Sequence, residues 1–204
     1  MQSTSLLQYV DKEIDFSRYS NPRSYIDGCD VAVLILDKPF NFDEYVRPVC
    51  LPTIDWTSKL TEGRMIASGM GMIGNDKRTN ELKVASIQML SKNKCKSLEF
   101  PGSYFKGKSS FKLIFRPSIF NSDGMICGGL VKTTCSGDSG GPVVANINGQ
   151  FTLIGLTSFG LKESCGTNVP GVYADVSYPD ILKFIYSVDR LPGWIQGYIA
   201  TRHK

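Results

Sequence analysis

Apolar positions along this chain gather in short runs, each about the length of a β-strand. DVAVLIL at 30–36 is continuous, rich in β-branched side chains, and predicts a strand buried on both faces. RMIASGMGMIGN at 64–75 predicts a short strand that ends in glycine-rich turn chemistry, and LKVASIQML at 82–90 predicts another. PVVANI (142–147) and FTLIGLTSF (151–159) read as two strands joined across Asn148-Gly149, a two-residue hairpin signal. GVYADV at 171–176 is the last short strand. Past Pro179 the period changes, and Ile181, Phe184, Ile185 and Val188 fall on one face of a helix. Residues 1–29 are polar and turn-rich. Residues 96–124 form a long connection in which Lys106, Lys108, Lys112 and Arg116 alternate with aromatics. That connection reads as a surface insertion or as an accessory contact for substrate.

Composition sharpens the class. The chain has 204 residues, 42% apolar and 21% charged, enough for one sizeable core or two small ones. Twenty Gly and ten Pro scattered among short strands favour an all-β fold. The net charge of +4 is mild and its basic residues are dispersed, which argues against nucleic acid as a partner. No stretch approaches the roughly 18 apolar residues of a membrane span, so no membrane partner is expected.

Six cysteines (29, 50, 95, 127, 135 and 165) at long, uneven spacings suggest a disulfide framework. No C-x-x-C pair occurs and His203 is the single histidine, so neither a metal nor a cofactor is expected. Disulfides place the protein in an oxidising compartment, hence secreted. MQSTSLLQYVDKEID, however, lacks the basic and apolar pattern of an export signal. The expectation that reconciles the two is a true N-terminus upstream of Met1.

The residues that carry chemistry are CSGDSGGP at 135–142. A serine between glycines on a tight turn can present its hydroxyl while bare backbone N–H groups point at a neighbouring oxygen. That combination supplies a nucleophile and an oxyanion-binding site together. GDSGGP also resembles the nucleophile motif of the trypsin/chymotrypsin family of serine proteases. Four further segments resemble family landmarks in the same order: DVAVLIL with Asp30 at its head, RPVCLP at 47–52, GMICGG at 124–129, and SFG at 158–160 followed by PGVY at 170–173.

The resemblance implies two antiparallel six-stranded Greek-key barrels with the site between them and a C-terminal helix. Residues 1–55 would be a remnant of the first barrel, carrying Asp30. Residues 56–204 would form the second, with nucleophile, specificity pocket and helix. It implies that Ser139 attacks the scissile carbonyl, that the N–H groups of Gly137 and Ser139 hold the oxyanion, and that Asp30 orients a histidine. Ser158 would support Asp30 and open the strand that pairs with substrate. Asp138 would receive the new N-terminal ammonium after zymogen cleavage. The pocket would have Thr133 at its base, with Ser158, Phe159, Gly160 and Gly171 along the substrate. A base without a carboxylate between glycine walls implies large apolar P1 side chains, and Lys132 entering the pocket would instead favour acidic ones.

By the same resemblance Cys95 bridges Cys127 and Cys135 bridges Cys165. Met65 and Ala145 occupy the two places of another family bridge. Cys50 sits where relatives tether a propeptide, so Cys29 and Cys50 pair with upstream partners or with each other. YPDILKFI and WIQGYIA (194–200) both resemble the family's final helix. The departure is the general base. No histidine precedes Asp30, and His203 stands in a different context. The sequence thus reads as an N-terminally truncated serine endopeptidase acting on proteins or peptides, inactive as it stands. The competing reading is a non-catalytic homologue that binds or regulates in an extracellular cascade.

Overall fold

The computed structural model describes residues 10–15 (as backbone), 30–36, 38–53, 55–56, 63–73, 77, 79–96, 124–129, 132–160 and 170–188. Eight strands and two helices lie among them: β1 (Val10–Asp15), β2 (Ala32–Leu36), β3 (Arg64–Gly69), β4 (Lys83–Gln88), α1 (Lys92–Lys96), β5 (Met125–Gly128), β6 (Pro142–Ile147), β7 (Gln150–Phe159), β8 (Gly171–Asp175) and α2 (Pro179–Val188). β1 and β2 pair antiparallel as a two-stranded sheet, and the other six form one antiparallel sheet in the order β4-β3-β6-β7-β8-β5.

The six-stranded sheet curls until its edges meet. Leu90 N–H donates to Cys127 O at 3.0 Å and Gly129 N–H to Gln88 O at 2.9 Å, joining the end of β4 to β5. Such closure removes unpaired edge groups that would otherwise template aggregation. Period-two alternation decides what fills the inside. Met65 and Ala67 from β3, Ile87 from β4, Val143 and Ala145 from β6, and Ile154 from β7 are all buried, with Trp56 among them. β3 and β6 pair as Ile66↔Val144 and Ala67↔Val143, which carries Met65 to the place opposite Ala145. There the long, flexible Met65 thioether faces the small Ala145 methyl, both fully buried. The hairpin signal is also realised: β6 and β7 turn at Asn148 and Gly149, both with positive φ (52° and 82°).

β2 departs from its expected environment. Its run is continuous, yet Leu34 is 52% exposed while Val31 just before the strand is buried. Val31 and the half-buried Val33 pack on α2, with Ile181, Phe184 and Val188, and on Ala174 of β8. One face of the strand finds a partner there and the other faces solvent. The helix is rotated slightly from its expected face: Leu182 is buried and Ile185 only partly. RPVCLP does not end with the first sheet. Leu153 N–H donates to Cys50 O at 2.8 Å, laying this segment along β7.

The turn between β8 and α2 is built on a buried carboxylate. Asp175 Oδ1 accepts from Ser177 N–H at 2.9 Å and from Ser177 Oγ at 2.5 Å. Burial pushes the Asp175 carboxyl above its ordinary value, and the Ser177 hydrogen bonds pull it partly back. A carboxyl raised in the folded state binds its proton more readily there than in the unfolded chain. Its contribution to stability is therefore full below the unfolded value and is lost as pH rises through the folded one. Asp175→Asn keeps an acceptor for both Ser177 donors and removes this slope. The denaturant midpoint of the variant, relative to that of the parent, is expected to rise between pH 4 and pH 7. Parallel midpoints across that range would contradict the burial argument.

Candidate active site

β7 organises the site from its C-terminal half. Gly140 N–H donates to Thr157 O at 2.8 Å and Thr157 N–H to Gly141 O at 2.9 Å, so the turn after Ser139 is stitched to this strand. The β7–β8 register then slips between Thr157 and Phe159. A slip of this kind re-aims the side chain at the irregular position, here Ser158. Its hydroxyl donates to Asp30 Oδ2 at 2.6 Å, across 128 residues of sequence. Adjacent residues of one strand therefore hold the serine turn and the Asp30 carboxylate.

The turn itself has the geometry its sequence demands. Gly137 and Gly140 flank the Asp138-Ser139 pair with φ of 95° and 76°, a region that L side chains avoid. Ser139 is exposed. No acceptor among the described residues takes the N–H of Gly137 or of Ser139. Two spare donors beside an exposed hydroxyl can stabilise negative charge developing on a bound carbonyl oxygen.

Asp138 points away from Ser139. Its Oδ1 accepts from Gly71 N–H and its Oδ2 from Cys135 N–H, both at 2.8 Å. The seat is made by absent side chains. A Cβ on Gly69 would lie 2.0 Å, and one on Gly71 2.5 Å, from Asp138 Oδ1. The glycines of SGMG, legible in the sequence only as a turn, are thus what lets the carboxylate settle. Beside it opens a cavity of about 270 Å³ whose lining includes Gly69, Gly71, Lys83, Lys132, Thr133 and Asp138.

Thr133 stands where two features meet. It borders this cavity, and on its other side its Oγ1 is 2.6 Å from where a Cβ on Gly171 would be. The Tyr173 hydroxyl lies 3.5 Å from Thr133 Oγ1. Burial drives the Tyr173 phenol up, and hydrogen bonds from Thr133 and Thr134 offset part of that effect. The phenol stays neutral and is itself fully buried, so of this pair only Thr133 borders the cavity, as an uncharged hydroxyl. The Phe159↔Val172 pairing brings Ser158, Phe159 and Gly160 alongside Gly171. Tyr173 was not singled out from sequence, although PGVY carries it. Lys132 is exposed and lines the Asp138 cavity.

Cys95 and Cys127 form a disulfide, tying α1 to β5. Cys135 is also disulfide-bonded, while its expected partner Cys165 lies outside the described residues, as do Cys29 and His203. So do most of the basic connection at 96–124 and the WIQGYIA segment. Cys50 is half-buried, with its Sγ 3.7 Å from Gln150 Oε1. Among the described residues no group of three His, Cys, Asp or Glu could hold a metal, and no helix is long and apolar enough to cross a membrane.

A family profile described as Trypsin matches residues 3–185 of the chain. The chain belongs to the trypsin family of serine proteases. Among similar proteins, CLIP domain-containing serine protease B15 of Anopheles gambiae is 32% identical over 184 residues, 87% of this chain and 44% of that protein. CLIP domain-containing serine protease B14 of the same organism is 27% identical over 186 residues, 82% of this chain and 46% of that protein. The chain thus spans about half the length of these two relatives. The curled antiparallel sheet with its C-terminal helix and internal disulfide accords with the trypsin family.

Proposed function

We propose that this chain carries the nucleophile half of a secreted serine endopeptidase that cleaves protein or peptide substrates through an acyl-enzyme. The observation that carries the reading is the 2.6 Å bond from Ser158 to Asp30, one residue along β7 from the Thr157 ladder that holds the Ser139 turn. Ser139 Oγ is the nucleophile. A histidine that takes its proton would be oriented by Asp30, whose carboxylate also stabilises the imidazolium. The N–H groups of Gly137 and Ser139 receive the oxyanion. Residues 1–55 serve as the Asp30-bearing part of one barrel and 56–204 as the second barrel. Cys50, half-buried on β7, is the tether for a propeptide, and the disulfides support an extracellular location.

The uncharged Thr133 beside Gly171, with the buried neutral Tyr173 hydroxyl behind it, supports preference for large apolar P1 side chains. A panel of peptide amides varied at P1, offered to the protein in a form that includes a histidine segment, tests this. Phe, Tyr and Leu are expected to exceed Lys, Arg and Asp by at least tenfold in kcat/KM, roughly what burying an unpaired charge on neutral hydroxyls costs. Fastest cleavage after Lys or Asp would refute the assignment of Thr133 as the base.

A second reading has one observation in its favour. The 204-residue sequence has a single histidine, His203, in a terminal Thr-Arg-His-Lys. A non-catalytic homologue that binds in an extracellular cascade would need no other. The two readings separate on whether Ser139 reacts with an active-site serine probe once the polypeptide includes a histidine segment.

A further inference from the structure

The Asp138 carboxylate borders a cavity that two lysines also line, and the strand register shows which of them faces it. β3 and β4 pair with Gly69 opposite Lys83. Directly opposite residues in an antiparallel pair project to the same face, with Cβ atoms about 5 Å apart. That face is the interior one, shared with Met65 and Ala67 on β3 and Ala85 and Ile87 on β4. Because a Cβ at Gly69 would sit 2.0 Å from Asp138 Oδ1, the Lys83 Cβ lies within about 7 Å of the same oxygen. A flexible four-carbon stem ending in an ammonium covers that gap, allowing for a charge-assisted hydrogen bond of about 2.8 Å. Lys132 has no such register; it is exposed and belongs to the loop that leads into the turn.

We infer that Lys83 is an internal counter-ion for Asp138 and, through it, a positioning residue for the Gly137–Ser139 turn. In this structure its Nζ rests on Glu81 Oε2 at 2.6 Å, with the two side chains 49% and 80% exposed. An exposed pair of this kind contributes little and exchanges readily. Swinging into the cavity trades that contact for a more enclosed carboxylate that already accepts from the Gly71 and Cys135 N–H groups. The oxyanion turn is then held by a side chain of the same sheet, with no requirement for a newly released amino terminus. The inference rests on the proteolytic reading only for the role of the turn; the ion pair itself does not depend on it.

Amide hydrogen exchange in the full chain tests the pair without requiring activity. Lys83→Met keeps the stem and removes the charge. It is expected to speed exchange of the Gly71 and Cys135 amides about fivefold or more, leaving the buried Ile87 near the far end of β4 unchanged. Lys83→Arg is expected to restore protection, which a role in packing alone would not allow. Lys132→Met is expected to leave both amides as they were. Unchanged exchange in Lys83→Met, failure of Arg to restore it, or an effect from Lys132→Met instead would each overturn the assignment. Reaction of Ser139 with a fluorophosphonate, measured separately, bears on the proteolytic reading. If the amides respond as expected while Ser139 fails to react even in a polypeptide that includes a histidine segment, that reading falls and the ion pair stands.

Discussion

A fluorophosphonate is expected to leave Ser139 of the isolated 204-residue chain unlabelled, and to label it once the polypeptide includes a histidine segment for the site. A serine hydroxyl is a weak nucleophile until an adjacent base takes its proton. On the proposed reading, the turn, the N–H groups of Gly137 and Ser139, and the Ser158–Asp30 bond surround that transfer, and the histidine supplies the base. Loss of a triad base costs on the order of 10⁶ in rate, with oxyanion stabilisation and binding retaining only about 10³–10⁴ over water. Within the extended polypeptide, Asp30→Asn should slow labelling by about 10⁴, since the imidazole would then take the wrong tautomer. Ser139→Ala should abolish it. Prompt labelling of the isolated chain would mean that some other group, a lysine or His203, activates Ser139.

The second large effect concerns stability. Phe184 on α2 is fully buried against Val31, Ala174, Ile181 and Val188. Phe184→Ala is expected to cost about 3–5 kcal/mol, the transfer free energy of the ring plus the cavity it leaves. Against a total of about 5–15 kcal/mol that is a severe loss. Val31 adjoins Asp30, so the same cavity loosens the carboxylate's anchor as well as the helix. Tyr186→Ala, on the outer face and 41% exposed, should move the denaturant midpoint little. A loss below about 1 kcal/mol for Phe184→Ala would show that the packing of Val31 on α2 contributes little to stability.

Much of this arrangement is legible in the sequence because it rests on short-range chemistry. Asn148-Gly149 dictates a hairpin through its positive φ values, and the apolar runs at 64–69 and 142–147 are the strands expected. What escaped is set by distant partners. β1 (VDKEID) is mostly charged and β5 only four residues long, so neither announces itself, and α1 is a five-residue turn tied by the Cys95–Cys127 bridge. The continuous run of DVAVLIL misled about burial, because a strand covered on one face by a helix and a strand covered on both look alike in one dimension. The seat of Asp138 was invisible for a different reason. It depends on Gly69 and Gly71 meeting a carboxylate some 70 positions away, and only the fold brings them together.

The slip in β7 at Ser158 carries a further consequence for how this chain can change in length. Along the strand, Leu153 is committed to Cys50, Thr157 to Gly140 and Gly141, and Ser158 to Asp30. Deleting or inserting one residue between 153 and 158 would turn every later side chain to the opposite face. Asp30 would lose its hydroxyl in the same event that unstitches the serine turn. Length variation is free at the exposed Asn148-Gly149 tip, a few residues upstream. One strand thus contains a segment that admits insertions next to a segment whose spacing is fixed at both ends.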